Sequence, residues 1–82
     1  MNVKKISVNR NIVEIFKTNV DSRKLASKIV TDLNQLYPNY RINFDLEDCD
    51  RVLRIEGNIS IDMLGILNYS RNNNIQIVVI DK

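Results

Sequence analysis

Three short stretches of this sequence hold side chains that could do chemistry. The first is Lys17, Thr18, Asn19, Ser22, Arg23 and Lys24, which combine cations and hydroxyls just ahead of a helical pattern. Free backbone N–H groups gather at such a helix start, and together these are the parts of an anion site. Arg23 and Lys24 would sit at the positive end of the helix dipole, where cations are slightly unfavourable. Such a placement fits a use, for example holding a phosphate or docking an acidic partner. The plain alternative is a solvated first turn with Asp21 offsetting part of the charge.

The second stretch is acidic: Asp45, Glu47, Asp48 and Asp50. It lacks the turn glycine and the closing glutamate of a calcium loop. Nothing marks a cleft in which paired carboxylates would act as acid and base, so a charged hairpin with Arg51 as a partner is expected. The third is Cys49, the single cysteine, between two aspartates whose negative charge works against a reactive thiolate.

What is missing excludes more. No histidine occurs among the 82 residues, which removes the usual imidazole base and the commonest metal ligand. One cysteine excludes an intrachain disulfide and any multi-cysteine zinc site. No nucleophile–base pair and no glycine-rich phosphate loop can be named, so no enzyme, no cofactor and no metal are expected. Twelve Lys and Arg against ten Asp and Glu leave a formal charge of +2 with the signs interspersed, which marks no particular partner. No apolar run approaches the roughly 20 residues that cross a bilayer. Met1 to Lys5 is basic without a following apolar stretch, so a cytoplasmic location is expected.

The elements that must position these groups are legible from periodicity. Ile12 to Lys17 reads as a strand. Leu25, Ala26, Ile29, Val30, Leu33 and Leu36 form one helical stripe, with Asp21 as the expected N-cap and Pro38 beyond its end. Tyr40 to Leu46 alternates, with Ile42, Phe44 and Leu46 inward, and a polar turn joins it to Val52–Glu56 as a hairpin. Ser60 is the expected N-cap of a second helix, with Ile59 and Leu64 as a hydrophobic staple. Asn72, Asn73 and Asn74 suit a left-handed turn. Ile75 to Ile80 is the last strand, and its run of β-branched residues implies that both faces are at least partly covered.

The order β-α-β-β-α-β is the split βαβ, ferredoxin-like, α+β arrangement. Right-handed crossovers then place both helices on one face of a four-stranded antiparallel sheet. A single domain over residues 11–82 is expected, with residues 1–10 as an arm or a short extra strand carrying Ile6 and Val8.

Over residues 12–81 the chain resembles a heavy-metal-associated domain. The likeness lies in the element order, the hairpin Ile42-Asn43-Phe44-Asp45-Leu46-Glu47-Asp48 and the strand closing on Ile55-Glu56-Gly57. That family's Met-x-Cys-x-x-Cys motif would fall on Val20 to Leu25, which puts Ser22 and Leu25 at the two thiolate positions. Neither binds soft Cu(I), so the resemblance implies the fold without metal transport.

Such a sheet offers two surface uses. Sheet-based RNA readers stack bases on aromatics of the two central strands. Here only Phe16 is aromatic there, and the Lys/Arg-Gly-aromatic run is absent, so nucleic acid is not expected. The helix-free face is instead expected to carry Ile12, Phe16, Val52, Arg54, Val78 and Ile80. A partly apolar open face serves as an interface. The leading expectation is a small binding or regulatory module that meets a protein partner or a second copy through this face.

Overall fold

The computed structural model describes residues 11–80. Six elements follow in the expected order: β1 (Ile12–Thr18), α1 (Arg23–Leu36), β2 (Arg41–Asp45), β3 (Val52–Gly57), α2 (Met63–Asn72) and β4 (Ile77–Val79). The strands form one antiparallel sheet in the order β2-β3-β1-β4. This is the α+β, ferredoxin-like layout, with β1 and β3 central and β2 and β4 at the edges. The possible extra strand at Ile6 and Val8 lies outside the described residues.

Both helices lie on the same face. Ile29 and Leu33 of α1 and Ile66 of α2 converge with Phe44, Leu53 and Ile77 around one void of about 10 Å³. A void that small barely admits one water, so this core holds no ligand chamber. Phe16, Ile29, Leu33, Ile55 and Ile66 are fully buried, and each contributes roughly 1.5–3 kcal/mol through burial.

The caps differ from expectation. Ser22, not Asp21, caps α1, accepting the Leu25 N–H at 3.2 Å. Asp62, not Ser60, caps α2, accepting the Gly65 N–H at 3.1 Å. The staple does not form, since Ile59 and Leu64 are both exposed. Leu36, at the end of the α1 stripe, is exposed as well, because α1 ends there and the chain turns away at Tyr37. In the asparagine turn, Asn74 takes a left-handed conformation with φ 57°, the backbone that asparagine tolerates best after glycine.

Strand pairing decides which side chains face the helices. In an antiparallel pair, residues directly opposite share a face. Phe16 lies opposite Leu53, and Ile12 opposite Gly57, so both sit on the helix side. The expectation that Ile12 and Phe16 belong to the open face is therefore corrected. Phe16 has no exposed surface at all. Its neighbours Val13 and Ile15 take the open side, opposite Glu56 and Arg54.

The last strand is shorter than expected and its cover is thinner. Ile75 is buried ahead of it, while Val78 is 61% and Val79 38% exposed. A strand at the sheet edge has a neighbour on one side only. That explains why a run of β-branched residues can remain open to solvent here.

Candidate functional site

The loop from β1 into α1 is built from hydrogen bonds that its own backbone consumes. The Thr18 hydroxyl, buried, donates to the Arg51 carbonyl at 2.7 Å and accepts the Val20 N–H at 3.1 Å. Asn19 accepts the Gln76 N–H through its side chain at 3.1 Å and donates its own N–H to the Gln76 carbonyl. Ser22 is the cap of α1. Lys17 pairs with Asp50 at 3.6 Å across two largely exposed side chains. Arg23 and Lys24 remain exposed at the start of α1. Of the six residues expected to hold an anion, three thus spend their polar atoms fastening β1, α1 and the turn before β4. Leu25, at the second position matching the metal motif, packs against the core.

The acidic hairpin is likewise engaged with itself. Asp45 accepts the Glu47 N–H, and Asp48 accepts the Asp50 N–H at 2.8 Å. Ligand atoms of Asp48, Cys49 and Asp50 come within 4.8 Å of one another on the exposed turn. The carboxylates there act as turn caps, and Arg51 beyond them has φ 46°.

An open groove of about 490 Å³ runs between α1 and β2, lined by Ala26, Ser27 and Val30 on one side and Ile42 to Glu47 on the other. Successive strand residues point to opposite faces, so a groove touching six in a row follows the backbone edge of β2. Charged Arg41 and Asp45 bracket that edge.

The helix-free face is the remaining candidate. Val52, Arg54 and Ile80 lie on it as expected, and Val78 lies opposite Lys17. Ile80 is fixed beside Ile15 by its N–H, which donates to the Ile15 carbonyl at 2.8 Å. On the β1–β4 side this face carries Ile15, Val78 and Ile80, with exposed Lys17 beside Val78, while Val52 lies on β3. The β2–β3 side carries Arg41, Asp45, Arg54 and Glu56, and Glu56 accepts a hydrogen bond from Asn11 at 2.8 Å.

The sequence reading missed three tyrosines that tie the helices together. Tyr37 and Tyr40 stack with ring centroids 4.8 Å apart. Tyr37 donates to Asp62 at 2.7 Å, and Tyr69 donates to Asp32 at 2.6 Å. Asp32 also holds Lys28 one turn back at 2.7 Å. These contacts hold both carboxyls below the usual carboxylate range: Lys28 and then Tyr69 act on Asp32, and Tyr37 and then the Gly65 N–H on Asp62. The links are long in sequence, and no local pattern announces them.

No helix among the described residues is long and apolar enough to cross a membrane. Comparison of the chain with protein-family models, curated proteins and solved structures finds no match.

Proposed function

We propose that this chain is a small non-enzymatic binding or regulatory module that works by associating with a second copy of itself through the β1–β4 side of its sheet. One observation carries the reading: Val78 stands exposed on the helix-free face near Ile15 and Ile80, and Val79 is exposed on the opposite face of the same edge strand. Adjoining exposed apolar residues on a sheet favour contact with another apolar surface. No charged residue occurs from Asn72 to Ile80. The β4 strands of two copies can therefore run beside each other with no like charges along them. The reading needs no metal and no nucleic acid. It suits the cytoplasm, where a lone cysteine is kept reduced, and it fits a heavy-metal-associated-like domain whose thiolate positions have become a helix cap and a packing leucine.

Light scattering over a dilution series tests it. The expected result is a mass that rises from monomer to dimer with concentration, and a return to monomer in Val78→Lys with unchanged circular dichroism. A monomer at every concentration overturns self-association.

A further inference from the structure

We propose that two copies join edge to edge, β4 against β4, in an antiparallel pair whose two-fold axis passes by Val78, so that two four-stranded sheets become one. This rests on the self-association reading and specifies its geometry.

The argument begins with backbone hydrogen bonds. In an antiparallel ladder, residues alternate between pairs that exchange both bonds and pairs that exchange none, whose N–H and C=O groups point to the other side. Between β1 and β4 the Asn19 N–H reaches the Gln76 carbonyl and the Ile80 N–H reaches the Ile15 carbonyl. Both lie on the register that sets Phe16 opposite Val79 and Lys17 opposite Val78. Gln76, Val78 and Ile80 therefore turn their backbone groups toward β1. Ile77 and Val79 turn theirs outward, where no described strand receives them.

A row of unmet donors and acceptors on an edge strand is a template for another strand. Proteins usually blunt such an edge with lysine, proline or inward charge. The β2 edge shows the pattern, bracketed by Arg41 and Asp45. The β4 strand is short, three residues, but Ile75 to Ile80 reads Ile-Gln-Ile-Val-Val-Ile, uncharged throughout, without proline, and β-branched at every position but Gln76.

Two-fold symmetry then fixes the partners. With Val78 at the axis, Ile77 of one copy meets Val79 of the other and each such pair exchanges both bonds. The outward groups of both residues are thereby satisfied. On the helix side, Val79 of one copy packs on Ile77 of the other, beside the open groove of about 300 Å³ that Leu67, Arg71 and Ile77 line. On the open side, the two Val78 side chains meet in the closer, non-bonded kind of pair. An isologous contact of this sort closes after two copies.

The test separates edge from face. Val79→Pro removes an N–H that β1 does not use, and proline is accepted in an edge strand when its missing N–H faces outward. The expected result is a folded monomer at concentrations where the unaltered protein is dimeric, while Val52→Lys, on the face but away from β4, leaves the dimer intact. If Val79→Pro dimerises as before, or Val52→Lys alone dissolves the dimer, edge pairing is overturned and self-association stands. A monomeric unaltered protein overturns both. Should Val79→Pro fail to fold, hydrogen exchange on the unaltered protein decides: the Ile77 and Val79 amides are protected only at dimeric concentrations if the edge pairs, and fast at every concentration if it does not.

Discussion

The hydroxyl of Tyr37, at the end of α1, donates a 2.7 Å hydrogen bond to the carboxylate of Asp62, the residue that caps α2. The second oxygen of that carboxylate accepts the Gly65 N–H. Tyr40, stacked on Tyr37, donates to the Ser60 carbonyl at 3.0 Å and accepts the Asp62 N–H at 2.8 Å. The entry to α2 is thus held from outside by the chain leaving α1. A Cβ on Gly65 would collide with the Tyr37 hydroxyl and the Asp62 carboxylate.

Gly65→Ala is therefore expected to destabilise the protein, although alanine is the better helix former. Crowding costs about 1–3 kcal/mol against a propensity gain of about 1 kcal/mol, so a net loss of about 1 kcal/mol is expected in urea unfolding. Asn68→Ala, at an exposed position of the same helix, is expected to gain a few tenths of a kcal/mol. Equal gains at both positions would show that the Tyr37–Asp62 contact does not occupy the space beside Gly65.

The same contacts set the pH response. Asp32 and Asp62 have depressed folded-state pKa values, so their contribution is complete above the ordinary carboxylate range near pH 4 and is lost as pH falls through the folded values. Tyr37 is pushed up to about 12, first by burial and then by its bond to Asp62, and Tyr69 is raised for the same two reasons with Asp32 as partner. A raised value contributes stability that is whole below the ordinary tyrosine pKa of about 10 and fades as pH climbs toward the folded value. Thermal melts are expected to hold level from pH 5 to about 9 and to drop at both ends. Tyr37→Phe is expected to soften both drops, and unchanged limbs in that variant would contradict the assignment.

Much of this layout was readable from the sequence, and the failures have physical reasons. The α1 stripe and the alternation of Ile42, Phe44 and Leu46 each select one face. In β1, by contrast, Ile12, Val13, Ile15 and Phe16 are apolar at both parities, so alternation cannot choose. The signal sat just downstream, where Lys17 and Asn19 are exposed while Phe16, Thr18 and Val20 are buried. That parity carries back to put Phe16 inside. Asp21 and Ser60 were plausible caps by residue type, but the observed caps were set by where Thr18 and Tyr40 anchor the preceding loops. The anion loop looked like a site because hydroxyls, amides and cations serve equally well to fasten a loop.

Phe16→Ala is expected to cost about 3–5 kcal/mol, as for a fully buried aromatic. Ile15→Ala, one residue away on the open face and half-buried, is expected to cost well under half as much. Urea denaturation of the two variants checks the strand parity directly. A larger loss at Ile15 would return Phe16 to the open face.

Arg51 occupies the left-handed region with φ 46° at the end of the β2–β3 turn. Its backbone serves the fold, since its N–H donates to the Asp48 carbonyl and its carbonyl accepts the Thr18 hydroxyl. A side chain in that conformation costs about 1–2 kcal/mol, and glycine adds about 0.5–1 kcal/mol of unfolded-state freedom. Arg51→Gly is thus expected to stabilise by roughly 0.5 kcal/mol, and Arg51→Val, β-branched, to destabilise. The order of the two melting temperatures is the readout.

Salt separates the two ways in which copies of this chain could meet. A face-stacked dimer would set Arg41, Asp45, Arg54 and Glu56 of one sheet against the same residues of the other. Exposed ion pairs of that kind weaken as the Debye length shrinks from about 10 Å at 0.1 M to about 3 Å at 1 M salt. An edge-paired dimer joins Ile77, Val78 and Val79, which carry no charge, through backbone hydrogen bonds and apolar contact. Its dissociation constant is expected to stay within about twofold between 0.1 and 1 M sodium chloride. Sulfate, which strengthens apolar burial by exclusion from the surface, is expected to tighten it. Sedimentation equilibrium at the three conditions reads the difference. A tenfold loosening in sodium chloride would place the charged half of the sheet, and not β4, at the contact.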